Sequence, residues 1–159
     1  MRPCRTKIID LNDFINLTNK QIGSIGEEIG CRTLNIKNRN IVDNNFETTS
    51  DTVRHEIFGY IEIKISTYNK TYMLWGASVR RNQEFDNLLV LCMDNKEPWE
   101  NVERAYMVPY KAIIDNDNHS QYRVTITING WRFKKFEIDE KPYDLVWQNM
   151  KKERYLKLF

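Results

Sequence analysis

Three charged residues near the middle of the chain, Asp51, Glu62 and Lys64, have types and a spacing that suit metal-assisted hydrolysis. Residues 59–66 read Gly-Tyr-Ile-Glu-Ile-Lys-Ile-Ser, and this alternation of apolar and polar residues predicts a β-strand. On such a strand, Glu62 and Lys64 project to the same side, about 6 to 7 Å apart. Carboxylates can hold Mg²⁺, and a lysine beside them can act as a point charge toward an anionic group.

Asp51 has to be brought back beside this strand for the three residues to act together. It stands eleven residues before Glu62, which leaves room for a preceding strand and a turn at Phe58-Gly59. Asp43 and Glu56 are rival carboxylates, but Asp43 is too far upstream for a neighbouring hairpin strand and Glu56 is too close to the turn. We therefore predict a hairpin that carries two carboxylates and a lysine at one end. An ordinary solvent-exposed face with an ion pair is the alternative.

Asp51 followed by Glu62-Ile63-Lys64 resembles the D…(D/E)xK signature of the PD-(D/E)XK nucleases, with Ser50 in place of the nominal proline. This family has the restriction-endonuclease-like fold and includes restriction enzymes, some homing endonucleases and Holliday-junction resolvases. The resemblance implies an α/β fold whose core is a mixed central β-sheet flanked by helices. It also implies a Mg²⁺-dependent DNA endonuclease, with Mn²⁺ as a substitute ion.

The resemblance assigns a role to each residue of the motif. Asp51 would bridge the metal ions, Glu62 would be a ligand, and the backbone carbonyl of Ile63 would supply another oxygen. Lys64 would orient or help to deprotonate the attacking water. In the family, a helix ahead of the motif often carries a glutamate that reaches the metal, and Glu27 matches that glutamate.

Leu11–Leu34 contains the first predicted helix, because isoleucines and leucines recur there at helical spacing. Asn12 or Asp13 is the predicted N-cap. Three glycines in this segment predict close packing on a sheet or a break near Gly23. Glu28 lies beside Glu27, and the resemblance favours Glu27.

Apolar runs predict the central strands. Leu88–Met93 is almost wholly apolar between turn residues, which predicts a strand buried on both faces. Tyr106–Pro109 follows as another strand, and Tyr110–Ile114 as a short helix or turn. An ExK strand, a Trp and Arg segment, a buried strand and a strand ending in Val-Pro resemble the order of the family core.

The C-terminal third predicts a second hairpin and a last helix. Gln121–Ile128 alternates as a strand, Asn129-Gly130 is a favoured two-residue turn, and Trp131–Ile138 is the predicted return strand. Tyr143–Leu158 is the predicted helix, with an apolar face of Leu145, Val146, Met150, Tyr155 and Leu156. The hairpin could enter a DNA major groove, or it could be an edge hairpin that completes the fold or a dimer. The candidate DNA-binding residues are Arg80, Arg81, Arg123, Arg132, Lys134 and Lys135.

Composition adds broad limits. The chain has 159 residues, 24 Lys and Arg against 22 Asp and Glu, and a formal net charge of +2. Its length and lack of repeats predict one domain over residues 1–159, with a core at about 11–115 and the C-terminal hairpin and helix at 121–159. No apolar run reaches the roughly 20 residues of a membrane span and no signal peptide is readable, so we expect an intracellular protein without a membrane partner.

The three cysteines lack the spacing of a zinc site or a disulfide framework, and Cys31 and Cys92 are expected to be buried thiols. The expected partner is DNA, bound by a homodimer or homotetramer that cuts both strands, as in a homing or restriction-type enzyme. A structure-specific nuclease such as a junction resolvase, and a non-catalytic nucleic-acid-binding or assembly protein of the same fold, are the open alternatives.

Overall fold

A computed structural model of the chain describes residues 7–38, 51–80, 83–96, 99–114, 121–127 and 130–158. The described elements include eight β-strands and three α-helices. In chain order they are β1 (Lys7–Asp10), α1 (Asn19–Leu34), β2 (Ile61–Ser66), β3 (Leu74–Arg80), β4 (Asn87–Met93), β5 (Val102–Pro109), α2 (Tyr110–Ile114), β6 (Gln121–Thr127), β7 (Glu137–Ile138), α3 (Lys141–Glu153) and β8 (Tyr155–Leu158).

The central sheet is mixed and has the strand order β2-β4-β5-β7. Strand β2 runs parallel to β4, whereas β4 and β5, and β5 and β7, are antiparallel. Residues Leu88 to Met93 of β4 are all fully buried, since one apolar cluster packs on each side of the strand. The predictions of an α/β fold with a mixed central sheet, and of a strand buried on both faces, are therefore confirmed.

Helix α1 covers one face of this sheet, and it begins at Asn19 rather than in the predicted region of Asn12 and Asp13. Thr18 is the true N-cap. Its hydroxyl accepts a hydrogen bond from the Gln21 N–H at 3.2 Å, and the Gln21 side chain accepts one from the Thr18 N–H at 2.9 Å. This reciprocal capping box satisfies two of the N–H groups that a helix start leaves unpaired, and so decides where the helix begins.

The glycines of α1 allow close contact with β2 instead of breaking the helix at Gly23. A Cβ atom at Gly26 would lie 2.8 Å from the Cβ of Ile65, and one at Gly30 would lie 2.7 Å from the Cδ1 of Ile63. Both separations are shorter than real carbon contacts allow. The prediction of close packing on a sheet is confirmed, and it brings this helix against the strand that carries the ExK motif.

The opposite face of the central sheet is covered by a two-stranded ribbon, β3 with β6. The predicted hairpin of residues 121–138 is wrong, because β6 pairs with β3 and not with the segment that follows it. The inward side chains of β6, Val124 and Ile126, lie opposite Ala77 and Trp75 of β3 and share one apolar cluster with them. Residues 131–136 instead form a turn and a short 3-10 helix, and β7 pairs with β5.

The last helix is shorter than predicted and ends at Glu153. Arg154 has a positive φ of 69°, which stops the helix, and the chain continues as β8, paired antiparallel with β1. The predicted apolar face is wrong in part, since Leu145 is 62% exposed while Tyr143 and Trp147 are buried. These buried side chains belong to the same apolar cluster as the buried side chains of α1.

Cys31 and Cys92 are buried and free, as predicted. Within the described residues, none of the helices has both the length and the apolar character that crossing a membrane would require.

Candidate functional site

The candidate site lies at the free edge of β2, the outermost strand of the central sheet. Asp51 and Thr52 run beside this edge and pair with it through their side chains. The Asp51 Oδ2 atom accepts a hydrogen bond from the Ile63 N–H at 2.8 Å, and the Thr52 hydroxyl accepts one from the Ile61 N–H at 3.1 Å. The strand predicted before the turn is therefore absent from residues 51–58, because side-chain oxygens satisfy the edge in place of a backbone ladder.

A tight turn from His55 to Gly59 returns the chain from Asp51 to β2. The N–H of each of these two residues donates to the carbonyl of the other, at 2.7 and 2.9 Å, and Gly59 has a φ of 68° that favours glycine. The Nδ1 atom of His55 accepts from the N–H groups of Ile57 and Phe58, each at 3.1 Å. His55 therefore holds the turn together, and the predicted turn at Phe58-Gly59 is confirmed.

Glu62 and Lys64 project from the same side of β2, but into different surroundings. Glu62 is only 2% exposed, whereas the side chain of Lys64 is 36% exposed. The Lys64 Nζ atom lies 3.7 Å from Glu62 Oε1, which is an ion pair too long for a good hydrogen bond. The other oxygen, Glu62 Oε2, is buried and has no hydrogen-bond partner among the residues that the structure describes.

Glu27 reaches the same place from α1. Its Oε2 atom accepts a hydrogen bond from the Asn38 side-chain amide at 3.2 Å, and its carboxyl lies in hydrogen-bonding contact with Asp51. Glu28 turns away and instead binds Arg32 at 2.7 Å on the surface. Of the two neighbouring glutamates, Glu27 is the one that joins the carboxyl cluster.

All three carboxyls of the cluster have raised pKa values, and burial is the largest cause for each. Burial, followed by the charge of Asp51, raises the pKa of Glu27 to about 8. Burial, followed by the charge of Glu62, raises the pKa of Asp51 to about 7. Burial also raises the pKa of Glu62, although hydrogen bonding to Asp51 and the charge of Lys64 act in the opposite direction. The cluster therefore retains protons near neutral pH unless another positive charge compensates it.

The cluster has the chemical character of a site for a divalent cation. A buried carboxylate oxygen without a partner, such as Glu62 Oε2, is costly and is satisfied well by a metal ion. In a strand the N–H and C=O of one residue point the same way, so the carbonyl of Ile63 faces the free edge beside Asp51. Over the described part of the chain, however, no three His, Cys, Asp or Glu side chains already stand in the arrangement of a metal site.

The described candidate DNA-binding residues lie in two places, the β3–β6 ribbon and the segment that follows β6. Arg80 is exposed at the end of β3, and the backbone of Arg123 lies in β6. Arg132, Lys134 and Lys135 are exposed in the segment after the ribbon rather than on a return strand. Arg81 lies outside the described residues.

Two residues at the site escaped the sequence analysis. Thr52 binds the edge of β2, and Asn38 binds Glu27 and also forms an isolated bridge with Thr52. Both are polar residues in segments without regular structure, so no periodic pattern marks them. Their only signal in the sequence is the position of Thr52 next to Asp51, where a β-branched hydroxyl residue suits an extended strand edge.

No protein-family model matches this chain, and no curated protein matches it either. Among solved structures, the bacterial homing endonuclease I-Ssp6803I is similar in fold, with a TM-score of 0.49 and 15% sequence identity. The match covers 86% of this chain and 94% of that one.

Proposed function

We propose that this chain is a metal-dependent endonuclease of the PD-(D/E)XK type that hydrolyses phosphodiester bonds in double-stranded DNA. The proposal is carried by one observation: α1, the segment before the His55–Gly59 turn and β2 bring Glu27, Asp51 and Glu62 into contact beside Lys64. A purely structural role would not explain why buried acids are gathered at a strand edge, because each carboxyl raises the energetic cost of ionising the next.

In this proposal the carboxyls of Asp51, Glu62 and Glu27, with the carbonyl of Ile63, hold Mg²⁺, or Mn²⁺ as a substitute. When bound, the ion lowers the pKa of a coordinated water and neutralises charge on the phosphate. Glu62 Oε2 is the oxygen that gains most, since it is buried without a partner. Binding requires the protons that Glu27 and Asp51 retain to leave, and the carboxyls to move into a common arrangement.

Lys64 has a separate task. Its ammonium group is partly exposed, so it can contact both the buried carboxyls and a phosphate arriving from solvent. Its 3.7 Å separation from Glu62 leaves its hydrogens available to orient the attacking water and to offset the charge that develops on the phosphate. The Ile63 N–H holds Asp51 in place through Oδ2, and the Asp51 carboxyl also contacts Glu27 and Glu62.

One cluster of this kind cuts one strand at a time. Cleavage of both strands at a defined sequence, as in a homing or restriction-type enzyme, therefore requires two copies of the site. A homodimer or homotetramer would provide them.

Incubation of supercoiled plasmid with the protein and Mg²⁺ tests the proposal. We expect nicked and linear DNA with the wild-type protein and with Lys20→Ala, an exposed control on α1, but neither product with Lys64→Ala or Glu62→Gln. Omission of the metal should also abolish cutting. If Lys64→Ala and Glu62→Gln cut the plasmid at the wild-type rate, the proposed site is wrong. If the wild-type protein binds DNA but cuts no plasmid with Mg²⁺ or Mn²⁺, a non-catalytic nucleic-acid-binding protein replaces the proposal.

A further inference from the structure

The outer face of the β3–β6 ribbon has small side chains in the middle of β3 and at one end of β6, and neither strand contains an acidic residue. The inward residues of the two strands, such as Trp75 and Ile126, are buried in the core, so the alternate residues face outward. Gly76, Ser78, Thr125 and Thr127 are all exposed on this outer face. Small hydroxyl side chains can approach a partner closely and can donate or accept hydrogen bonds.

This surface is basic by sequence as well as by position. β3, β6 and residues 130–136 contain five basic residues and no acidic one, although the chain as a whole has 24 basic and 22 acidic residues. Arg132, Lys134 and Lys135 are exposed, and none of them forms an ion pair with another residue that the structure describes. The positive charge of this surface is therefore not neutralised by the described residues.

An exposed tryptophan lies at one end of the ribbon. Trp131 is 81% exposed and lines a cleft of about 430 Å³ together with Thr127, Arg132 and Lys134. An exposed ring of this size offers a large apolar face that a partner could cover with a favourable gain in free energy. An aromatic ring among unpaired basic side chains matches the chemistry of nucleic acid, which offers both phosphates and stacked bases.

The two basic ends of the ribbon have a separation that suits duplex DNA. Leu74 pairs with Thr127 at the end near Trp131, and Arg80 pairs with Gln121 at the other end. Six residue steps of about 3.3 Å separate these ends by about 20 Å. A two-stranded ribbon fits the major groove, which is about 12 Å wide and has phosphates along both rims. The ribbon is therefore long enough for its basic ends to reach phosphates while its small central side chains face the base edges.

A specific joint connects this surface to the carboxyl cluster. The Ser66 hydroxyl donates to the Gly76 carbonyl at 2.9 Å and accepts from the Gly76 N–H at 3.0 Å. Ser66 follows Lys64 by two residues on β2, so the two side chains leave the same side of the strand about 6 to 7 Å apart. The middle of the ribbon is thereby fixed close to the lysine of the site.

We infer that the outer face of the β3–β6 ribbon, together with the Trp131–Lys134 turn, is the surface that holds double-stranded DNA against the carboxyl cluster. This inference rests on the proposed function, because it assumes that DNA is the substrate. It concerns DNA binding, which can be measured without cleavage. It adds Gly76, Ser78, Thr125, Thr127 and Trp131 to the basic residues that the sequence indicated.

Binding of a fluorescein-labelled mixed-sequence duplex of about 30 base pairs, with Ca²⁺ in place of Mg²⁺, tests the surface. Gly76→Glu is the most informative variant, because the nearest described atom to an added Cβ, apart from the two chain neighbours, is Leu74 Cδ1 at 3.9 Å. The added carboxylate would therefore fit on the outer face. We expect it to raise the Kd at least tenfold, whereas Asn149→Glu, which adds the same charge on α3, should stay within twofold. Thermal melting checks that both variants fold.

The double variant Arg132→Ala/Lys134→Ala provides a second measurement that changes only exposed side chains. Each lost phosphate contact should reduce the slope of log K against log salt by about 0.9, so the slope should fall by about 2. The matched control Lys152→Ala/Lys157→Ala removes the same charge elsewhere and should leave the slope unchanged. Equal slopes and equal affinities for ribbon variants and controls would overturn the inference, as would a wild-type protein that does not bind the duplex at low salt.

The two proposals fail in different ways. If the wild-type protein binds the duplex through the ribbon but cuts no DNA, the proposed endonuclease activity is wrong and the inferred DNA-binding surface stands. If Gly76→Glu still cuts the plasmid and binds the duplex with unchanged affinity, the inferred DNA-binding surface is wrong and the proposed endonuclease activity stands.

Discussion

The carboxylate of Asp51 accepts the backbone N–H of Ile63 at 2.8 Å, and Ile63 is the residue that separates Glu62 from Lys64. One hydrogen bond therefore attaches the upstream acid to the centre of the ExK motif. This bond needs only an acceptor oxygen at position 51, whereas metal binding would need the negative charge of the carboxylate. Variants of Asp51 can measure the two contributions independently.

We expect Asp51→Asn to preserve the fold and to lose DNA cleavage. The amide oxygen of asparagine can still accept the Ile63 N–H, and it avoids the cost of a buried negative charge, so we expect the variant to be at least as stable as the wild type. Loss of the ion-binding charge should reduce plasmid cleavage by about 100-fold or more. Asp51→Ala should be equally inactive but less stable by about 1 to 3 kcal/mol, because the Ile63 amide loses its partner. Urea denaturation and plasmid cleavage measure both effects, and substantial activity in Asp51→Asn would contradict the role of its charge.

Raising the pH should destabilise the metal-free protein. Glu27 and Asp51 have pKa values raised to about 8 and about 7, so the folded state binds more protons than the unfolded state between about pH 4 and 8. Their contribution to stability is fully present at the acidic end of this window and is lost as the pH rises through the folded-state values. We expect the Tm in EDTA to fall by several degrees from pH 5 to pH 9.

Mg²⁺ should oppose this loss, because the cation replaces the departing protons. The increase in Tm on adding Mg²⁺ is expected to grow through pH 7 to 8. Glu27→Gln, which removes the group with the higher of the two values, should flatten the pH dependence in EDTA. A Tm that is independent of pH and metal in the wild type would contradict this reading of the cluster.

Glu27 and Glu28 form a natural matched pair for metal binding. Glu27 contacts Asp51 in the cluster, whereas Glu28 binds Arg32 on the surface. We expect Glu27→Gln to weaken Mn²⁺ binding by about 10- to 100-fold, the range found when groups that support a metal site are removed. Glu28→Gln should leave Mn²⁺ affinity unchanged and cost at most about 1 kcal/mol of stability. Calorimetric titration with Mn²⁺ measures both affinities, and equal effects of the two variants would exclude a special role for Glu27.

Gly26 and Gly23 should respond in opposite ways to alanine. At Gly26 a Cβ atom would lie 2.8 Å from the Cβ of Ile65, close to the backbone of β2, so α1 or the strand would have to move. We expect Gly26→Ala to destabilise the protein by about 1 to 3 kcal/mol. At Gly23 an added Cβ atom would have no described atom within 4 Å apart from the neighbouring backbone of α1, so Gly23→Ala should stabilise the helix by about 0.5 to 1 kcal/mol. Thermal or urea unfolding compares the two, and a neutral Gly26→Ala would mean that the helix is not held tightly on β2.

Much of the central sheet could be predicted from the sequence. The alternation around Glu62 and Lys64 indicates β2, and the apolar run at Leu88–Met93 indicates a strand buried on both faces. The turn at Phe58-Gly59 is equally local, because its glycine provides the positive φ that the turn needs. These patterns succeed because strand period and turn conformation depend on residues that are neighbours in the chain.

Local sequence patterns did not predict which distant segments pair with each other. Asn129-Gly130 is a strong local signal for a hairpin, yet β6 pairs with β3, where Val124 and Ile126 bury their side chains against the central sheet. The N-cap of α1 is Thr18 and not the predicted Asn12 or Asp13, because Thr18 forms the reciprocal hydrogen bonds with Gln21.

The sequence by itself determined the residue types of the candidate site, the alternation that puts Glu62 and Lys64 on one side of β2, and the rival acids that could join them. Only the tertiary structure decided that Asp51 binds the strand edge without forming a strand, and that the Ser66 hydroxyl joins the ribbon to β2. It also gave the contact between Asp51 and Glu27, the glutamate that the resemblance favoured. The physical reason is the distance along the chain over which the interactions act. Periodicity is set within a few residues, whereas contacts between segments depend on which apolar faces can be buried together, and no short stretch of sequence contains that information.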